Sequence, residues 1–428
     1  MATSRAALTV TVYPSLADID PHAWDTLVTY DSPFVRHAFL RLLETSGCVG
    51  AEKTGWISQH LVIRDGERIV GAMPAYLRFD SYGEYIFDWS WAQAAQRGGL
   101  DYYPKVTTAV PFTPATGQRL LVHPEADRTA VQRAAITGLT ALTREHQASS
   151  THVLFCLDEE ASALEDEGFI RRATHQYHFH NDGYATFDDF LATLRHENRK
   201  QIKKERRKVA EQGVTIQRIK GSEATDAQWA LMFQLYRSTT DRKWGSAYLT
   251  EKFFKQAKRA IGDLALLAFA VRDGNVIAGT LSFEYGKHLF GRYWGALEHV
   301  DGLHFELCYY QLIEHAIANR QTLVEAGAQG EHKLKRGFVP VVVHSAHAFE
   351  NKQLRQAIGR FCREERRELL SALPEWAKHA PFRKGAAPNV PAIAGVFPHE
   401  EDAPGDLSVE RRQGLCEVGA DHQTEADP

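Results

Sequence analysis

The chain lacks several short motifs that mark well-known enzyme classes. It has no P-loop, no GxSxG nucleophile elbow, no HExxH zinc motif and no GxGxxG dinucleotide loop. Each of these motifs supplies one specific element of chemistry. Phosphoryl transfer on a P-loop, serine hydrolysis, zincin catalysis and Rossmann dinucleotide binding therefore have no support in the sequence.

Long apolar runs are also missing. No run reaches the roughly 18 residues that a membrane-spanning helix needs, and the N-terminal segment has no apolar core of a secretory signal. With 44% hydrophobic and 24% charged residues, the composition is that of a globular protein. We expect a cytoplasmic protein with no stable membrane insertion. A length of 428 residues allows two or three domains.

Cysteine is scarce and scattered. The five cysteines form no CxxC pair, so the sequence indicates neither a disulfide framework nor a zinc site. Cys308 lies in the helical pattern FELCYYQLI and is predicted to be a buried structural thiol. His299, His304 and Glu306 lack a recognised metal spacing. We therefore predict no metal.

What the chain does contain is an internal repeat. LVIRDGERIVGAMPAY (61–76) and FAVRDGNVIAGTLSFE (269–284) share a strand, an Asp-Gly turn, a second strand and a following glycine. Asp-Gly supplies the positive φ that a two-residue hairpin turn needs. The matched pairs lie 208 residues apart: Asp65 with Asp273, Gly66 with Gly274 and Gly71 with Gly279. At a slightly shorter separation, Phe87 with Trp91 matches Phe290 with Trp294. The repeat predicts duplication of a mixed α/β domain.

Hydrophobic periodicity predicts similar elements in the two halves. Strand, helix, strand order implies a partly parallel sheet. In the first half we predict strands at 8–13 and 152–157 and helices at 34–46 and 128–147. In the second half we predict helices at 229–241, 249–261, 304–319 and 361–373 and strands within 264–286, 288–296 and 321–326. The acidic segment 383–428, rich in Pro, Gly and Ala, is predicted to be a disordered tail.

A basic helix is predicted between the halves. It begins at Thr186, where Asp189 completes a capping box, and it ends at Gly213. Eight Lys or Arg and two Glu lie between positions 195 and 208. Charge runs are usually solvated faces, and a sequence pI near 6.6 argues against general nucleic-acid binding. Local binding to the phosphates of tRNA or of a nucleotide-linked substrate through 195–208 stays open.

The loop that follows the predicted strand 321–326 is the best candidate site. Its glycines let backbone amides approach a ligand, its cations suit phosphate or carboxylate, and Glu331 or His332 can move a proton. A solvated turn with a basic rim is the alternative. The residues concerned are Gly327, Gln329, Gly330, Glu331, His332, Lys333, Lys335 and Arg336.

Two smaller groups are weaker candidates. Asp301, His304 and Glu306 lie just ahead of or in the first turn of a predicted helix, where capping explains acidic residues without catalysis. His178 and His180 share one face of a predicted strand with Gln176. That face either lines a pocket between the halves or points to water.

Several longer segments carry a resemblance to a known family. They are SPFVRHAFL, YGEYIFDWSWA, YYPKV, PFTPATG, HFHN, KKERR, KWGSAYLTEKFF, RYWGALEHVDGLHFELCYYQ and GAQGEHKLKRGF. Through them the chain resembles, from about Ser32 to Phe382, the FemAB-like branch of the GNAT acyltransferase superfamily, predicted N-acyltransferases of peptidoglycan biosynthesis or recognition. The resemblance implies an α/β (α+β) fold with two tandem GNAT-like domains, whose mixed sheets are flanked by helices. We place the domains at 1–180 and 216–382, joined by the basic segment 181–215.

The resemblance also implies an activity. It is transfer of an acyl or aminoacyl group to an amine of a small molecule or a peptidoglycan precursor, with acyl-CoA or aminoacyl-tRNA as co-substrate and no bound cofactor. Two departures stand out: no clear Q/R-x-x-G-x-G/A loop is present, and Phe179 replaces an expected tryptophan. The sequence indicates no oligomeric state.

The implied roles divide the candidate residues into two groups. Proton transfer falls to Glu331 or His332, with Asp301 and His304 as weaker candidates. Substrate binding falls to Gly327, Gln329, Gly330, Lys333, Lys335, Arg336, His178 and Trp294. The alternatives are a recognition module that binds a cell-wall precursor or peptide without chemistry, and a tRNA- or nucleic-acid-binding protein that uses the basic helix.

Overall fold

The structure is a computed structural model that describes residues 7–51, 54–242, 247–327 and 330–388, with only the backbone for Asp241, Arg242 and Glu331. Strands form where β-branched, aromatic and small apolar residues are concentrated. In chain order they are β1 (Thr9–Tyr13), β2 (Trp56–Ser58), β3 (His60–Asp65), β4 (Arg68–Met73), β5 (Ala75–Arg78), β6 (Lys105–Thr108), β7 (Leu121–Val122), β8 (Ser150–Cys156), β9 (Ile170–His180), β10 (Thr215–Lys220), β11 (Ala265–Arg272), β12 (Asn275–Tyr285), β13 (His288–Ala296), β14 (Leu323–Glu325) and β15 (Val339–Phe349).

The helices alternate with these strands. They are α1 (Pro21–Asp25), α2 (His37–Thr45), α3 (Trp89–Arg97), α4 (Arg128–Glu145), α5 (Asp158–Asp166), α6 (Phe187–Thr193), α7 (His196–Glu211), α8 (Asp226–Arg242), α9 (Glu251–Ile261), α10 (Leu303–Phe305), α11 (Gln311–Ala318) and α12 (Lys352–Lys378). A π-helical turn, Glu306–Tyr310, joins α10 to α11, and the segment Glu331–Arg336 is a 3-10 helix.

The strands form two sheets. The smaller has the order β1-β3-β4-β7, and the larger has the order β10-β11-β12-β13-β14-β9-β15-β8-β6-β5-β2. Among the described strands, neighbours are antiparallel except for two parallel pairs, β6 with β8 and β13 with β14. Helices cover the sheets, for example α4 on β3 and α8 on β13. The predicted α/β fold with mixed sheets flanked by helices is confirmed.

The repeat is visible in the topology. The first repeated segment forms the hairpin β3–β4, and the second forms β11–β12, where Asp273 and Gly274 both have positive φ. The proposed match between Phe87–Trp91 and Phe290–Trp294 is wrong. Trp91 lies in α3 and Phe87 in the loop before it, whereas Phe290 and Trp294 both lie in β13. By topology the counterpart of β13 is β6, because each forms a parallel pair with a later strand of its own half.

The two halves interlock at the centre of the larger sheet. β9, from the first half, lies between β14 and β15 of the second half. β15 in turn lies between β9 and β8 of the first half. The sequence analysis missed β15. The proposed domain boundaries at 180 and 215 stay a prediction, but the hydrogen bonding of the sheet crosses both of them.

The predicted basic helix is two helices. The capping box of Thr186 and Asp189 is present at the start of α6, and Gly213 after α7 has a φ of 73°. Leu194 is extended between α6 and α7, where it forms a bridge to Phe382. The chain therefore turns at Leu194, and the eight cations are divided between this turn and α7.

The last helix of the second half differs in extent from the prediction. The last helix is longer than expected, since α12 runs through Pro374 to Lys378. The predicted tail lies outside the described residues from position 389 onward. Within the described part of the chain, no helix is both long enough and apolar enough to cross a membrane.

A buried histidine pair joins β8 to β15, and so joins the halves. His152 Nδ1 lies 2.7 Å from His347 Nδ1, and their Nε2 atoms lie 2.8 Å from the hydroxyls of Ser150 and Ser345 respectively. One of the two facing nitrogens must carry a proton and the other must accept it. Burial lowers the pKa of His152 to about 3 and that of His347 well below its usual value. Both rings are therefore neutral at neutral pH.

This pair predicts a loss of stability on acidification. In the unfolded chain, these two imidazoles take up protons below about pH 6.5. In the folded chain, they stay neutral until far lower pH. The pair therefore contributes fully to the free energy of unfolding above about pH 6.5, and this contribution is lost as pH falls. In urea unfolding between pH 8 and pH 5, His347→Gln should be less stable at pH 8 but should lose less stability on acidification than the parent. Replacement of the exposed His22 by Gln serves as the control. Equal pH slopes for parent and His347→Gln would contradict this account.

Candidate functional site

The site begins where a parallel strand pair separates. β13 and β14 pair over only three positions, 288–290 with 323–325. Beyond Phe290, β13 contains a bulge: Gly291 pairs with Ser282 and Tyr293 with Leu281, which leaves Arg292 as the extra residue. A bulge bends its strand and re-aims side chains. The bend at Arg292 opens a space between β13 and the end of β14.

This space is a cavity of about 290 Å³. Its walls come from β12, β13, α8, the helical segment 303–312 and the end of β14. Hydroxyl-bearing and aromatic residues dominate the lining, and it contains no Asp or Glu among residues whose side chains are described. The lining residues are Tyr85, Tyr236, Thr239, Thr240, Tyr248, Thr280, Ser282, Gly291, Arg292, Tyr293, Trp294, His304, Cys308, Tyr309, Leu312, Ala326 and Gly327.

The wall formed by α8 depends on a glycine. A Cβ at Gly295 would overlap the backbone of Leu235, so only glycine lets α8 pack this closely on β13. Thr239 Oγ1 then donates to the Trp294 carbonyl at 2.8 Å. This packing places Tyr236 at the cavity, where its hydroxyl accepts from the amide of Tyr248 at 2.9 Å.

The first half closes one side of the cavity. Tyr85 lines it, and the ring of Phe112 stacks on Tyr248 with centroids 4.9 Å apart. Tyr85 and Phe112 both have a φ of 59°. Positive φ in a bulky residue costs on the order of 1–3 kcal/mol and is found most often at functional sites. The two aromatic residues are thus held in a strained backbone where the halves meet.

Three polar atoms at the cavity lack partners. Thr280 Oγ1, Ser282 Oγ and Arg292 Nε are buried and have no hydrogen-bond partner within the described ranges. Leaving a buried donor or acceptor unpaired costs about 1–3 kcal/mol. The arrangement is suited to a ligand that supplies the missing partners.

Part of the predicted loop reaches the cavity. Gly327, His304 and Trp294 line it. Two further residues contact the lining: His332 Nε2 lies 2.8 Å from Tyr309 Oη, and Lys333 Nζ donates to the Gly327 carbonyl at 2.8 Å. The structure therefore brings five of the proposed residues to one place.

Burial alters the chemistry of two side chains here. Burial, with Arg292 nearby, lowers the pKa of Lys333 to about 8. A lysine in that range is partly neutral near physiological pH. Burial raises the pKa of the Cys308 thiol, so this cysteine is not a thiolate at neutral pH. Such a thiol is a poor nucleophile, although it lines the cavity.

The remaining loop residues lie elsewhere. Arg336 Nε donates to Tyr310 Oη at 2.9 Å and its Nη2 to Glu205 on α7 at 2.9 Å, so this cation fixes the loop to the basic helix. Lys335 is exposed. Gln329 lies outside the described residues, and only the backbone of Glu331 is described. Gly330, with a φ of 116°, begins the 3-10 helix.

The residues at the start of α10 do not cap it. The N-cap position is Gly302, with no side-chain capping bond, so the capping explanation of the acidic residues is wrong. Asp301 instead pairs with Lys208 on the surface, away from the cavity lining. Glu306 pairs with Arg206 at 3.1 Å. Both acids attach this helix to α7.

His178 lies on a buried strand face with a carboxyl that the sequence analysis overlooked. Its Nε2 is 3.2 Å from Gln176 Oε1 and 3.8 Å from Glu325 Oε2. Burial raises the pKa of Glu325 to about 8, opposed by the Thr116 amide and nearby arginines. Burial also holds the pKa of His178 well below its usual value. The face is therefore buried rather than exposed to water, and both groups are neutral at pH 7.

The corresponding space in the first half is filled. β6 and β8 pair at 106–108 with 151–153. The edge of β8 beyond this pairing is taken by the chain itself: the Gly117 amide donates to the Phe155 carbonyl at 3.1 Å, and Arg119 Nε donates to the Leu154 carbonyl at 2.7 Å. The other guanidinium nitrogens of Arg119 donate to three more backbone carbonyls. One parallel pair opens onto a cavity, whereas its counterpart holds a buried arginine.

Sequence reasoning missed most of the cavity wall. Arg292, Tyr293 and Tyr248 lie inside segments that carry the family resemblance, but nothing in their spacing singles them out. A local signal existed for Arg292, because a charged residue interrupts the apolar and small residues of HLFGRYWGA. Thr280 and Ser282 have no comparable signal.

The comparisons with known proteins agree with this architecture. The model of the FemAB-like family, described as peptidoglycan biosynthesis/recognition, matches residues 15–384. No curated protein matches the chain.

Solved structures are similar to this chain at low identity. The C-terminal domain of a putative lysylphosphatidylglycerol synthetase from Agrobacterium fabrum has a TM-score of 0.50 and 10% identity, covering 78% of this chain and 92% of that one. A crystal structure of FemX has a TM-score of 0.47 and 11% identity, covering 74% and 93%. A tandem GNAT protein from the clavulanic acid biosynthesis pathway has a TM-score of 0.44 and 16% identity, covering 80% and 99%.

The buried carboxyl predicts a pH-dependent difference in stability. Unfolded Glu325 ionises near pH 4.5, whereas folded Glu325 keeps its proton until about pH 8, so folding is increasingly penalised as pH rises between these values. Glu325→Gln removes this penalty and keeps an oxygen for the Thr116 amide. In denaturant titrations, the variant should gain stability over the parent from pH 5 to pH 8, by on the order of a few kcal/mol, with no further gain above. The exposed Glu368→Gln variant is the control. A stability difference that does not change with pH would refute the assignment.

Proposed function

The chain is a member of the FemAB-like family of peptidoglycan biosynthesis and recognition, and on this premise we propose that it transfers an acyl or aminoacyl group to an amine at the second-half cavity. The observation that carries this proposal is the opening between β13 and β14, lined by unpaired polar atoms. Such an opening exposes the backbone edge of two strands to an extended ligand. Its first-half counterpart is occupied by Arg119.

The reaction sets requirements that the site can meet. The amine nitrogen attacks the donor carbonyl carbon, a C–N bond forms, and the C–S bond of a thioester or the C–O bond of an aminoacyl ester breaks. The amine loses a proton and the leaving group gains one, so no covalent enzyme intermediate is needed. Donors near the carbonyl oxygen stabilise the charge that develops there. The tyrosine hydroxyls of the lining are the groups we propose for this role.

Proton transfer is proposed for the loop beside the cavity. Glu331 and His332 remain the proposed acceptors of the amine proton, and the bond of His332 to Tyr309 places this imidazole next to the lining. We propose that Lys333, with a pKa of about 8, protonates the leaving group. His304 and Trp294 are proposed to hold substrate, and Gly327 to offer backbone contacts. Asp301 has no proposed role, because it pairs with Lys208 on the surface.

The donor and acceptor are proposed by class. Acyl-CoA or aminoacyl-tRNA is the donor, and a small-molecule amine or a peptidoglycan precursor is the acceptor. One observation favours tRNA: α7, with exposed Lys200 and Lys204, is attached to the loop through the Glu205–Arg336 ion pair at 2.9 Å. Phosphates bound on α7 would therefore lie beside the loop at the cavity.

A ligand panel with a turnover assay tests the proposal. Thermal unfolding is measured with CoA, acyl-CoAs, UDP-linked peptidoglycan precursors and aminoacyl-tRNA, and mass spectrometry then follows the acylated amine. A ligand at 100 times its dissociation constant should stabilise the fold by about 2.7 kcal/mol. Stabilisation without consumption of any donor would instead show a recognition module.

Glu331→Gln tests the proposed proton acceptor. The variant should lose transfer activity while its unfolding temperature stays unchanged, because the substitution removes only the charge. Glu364→Gln, on the exposed face of α12, is the matched control and should keep full activity. Full activity in Glu331→Gln would remove Glu331 from the mechanism and leave His332 as the proposed acceptor.

A further inference from the structure

The charge around the cavity is one-sided. Among described side chains, the lining contains the guanidinium of Arg292 and no carboxylate. Lys333 lies directly behind Gly327 and adds a second basic group. Glu325, which precedes the lining residue Ala326, is held protonated at pH 7 by burial. A cavity of this kind favours a ligand group of negative charge.

The buried arginines differ from Arg292 in their partners. Arg78, Arg172 and Arg336 each pair with a carboxylate, and Arg119 donates to four backbone carbonyls. Arg292 donates through Nη2 to the Phe112 carbonyl at 2.6 Å, and its buried Nε has no partner in the described part of the chain. A buried N–H without a partner is costly, and an anion that reaches this Nε removes the cost.

Two hydroxyl side chains line the same cavity as this guanidinium. Thr280 and Ser282 are 3% and 1% exposed, both line the cavity, and neither hydroxyl has a partner within the described ranges. They are two residues apart on β12 and so share one face of the strand. Ser282 pairs across the strands with Gly291, the residue before Arg292. Two hydroxyl donors and a guanidinium therefore line the same cavity.

We propose that this cavity binds an oxyanion, a carboxylate or phosphate group of the substrate, through Arg292 with Ser282 and Thr280. The proposal rests on the proposed function, because it assigns the anion to the donor or the acceptor of the transfer reaction. Arginine is suited to such a group, since its planar N–H donors match two oxygens of a carboxylate or phosphate. Arg292 is then a specificity-determining residue, and a neutral analogue leaves its Nε without a partner.

The two sources of an oxyanion are chemically distinct. A carboxylate would come from an amino acid or peptide, and a phosphate from a nucleotide-linked donor or precursor. Isothermal titration of the full chain separates them with three probes. N-acetylglycine carries a carboxylate, inorganic pyrophosphate carries phosphate, and N-acetylglycinamide is the neutral isostere of the first.

The expected result is selective binding of an anion. The parent should bind N-acetylglycine or pyrophosphate at millimolar concentration or below, and should bind N-acetylglycinamide at least about tenfold more weakly, since hydrogen bonds to charged groups contribute about 1.5–3 kcal/mol. Arg292→Gln should weaken the preferred anion by about tenfold or more. Ser282→Ala, which leaves the charge in place, should weaken it by a smaller factor. The matched control is Arg272→Gln, because Arg272 pairs with Glu298 on the surface away from the cavity.

The outcomes separate this inference from the proposed function. Three results would overturn the anion site: equal binding of N-acetylglycine and N-acetylglycinamide without binding of pyrophosphate, no binding of either anion, or unchanged anion binding in both Arg292→Gln and Ser282→Ala. If Arg292→Gln fails to fold by its thermal transition, Ser282→Ala decides the question alone. Selective anion binding in a protein that transfers no acyl group would support the anion site and refute the proposed transferase activity. Acyl transfer without any preference for an anion would support the transferase activity and refute the anion site.

Discussion

The antiparallel pair β9–β15 is the interaction on which the rest of the structure depends. It runs over nine positions, from Val339 with His178 to His347 with Ile170. Each strand belongs by sequence to one half and lies against a strand of the other. Because β9 also pairs with β14, the position of the cavity edge is fixed by a strand of the first half. Neither parallel strand pair can move without disturbing the β9–β15 pair at the centre of the larger sheet.

The duplicated halves have diverged at corresponding places. Each contains a parallel strand pair that separates after three positions. In the first half, the segment from Ala115 to Arg119 fills the space where β6 and β8 separate, and the guanidinium of Arg119 donates to backbone carbonyls there. In the second half the bulge at Arg292 keeps the gap open, and aromatic residues of the first half close its side. One half therefore provides most of the cavity, and the other provides one wall of it.

The sequence predicted what is local. The Asp273-Gly274 turn and the capping box at Thr186 follow from short-range chemistry, and the structure contains both. The glycine-rich loop was proposed as a site for its composition alone, and two of its residues contact the cavity lining.

What the sequence did not predict depends on distant partners. β15 was missed because His344 and His347 interrupt its apolar pattern, and His347 is buried only because His152 meets it from 195 residues away. Arg292 owes its role to a strand bulge, and Glu325 to burial by the first half. Neither cause has a signature in the residues next to it.

The central claim is that one of the two duplicated openings accepts a donor and the other does not. The most direct measurement is the stoichiometry of donor binding, by native mass spectrometry of the full chain with whichever donor stabilises it. The account predicts a single donor per chain at saturation, and loss of that binding when Gly291 is replaced by a large residue such as Leu. Two donors per chain, or one donor that stays bound in the Gly291→Leu variant, would contradict it.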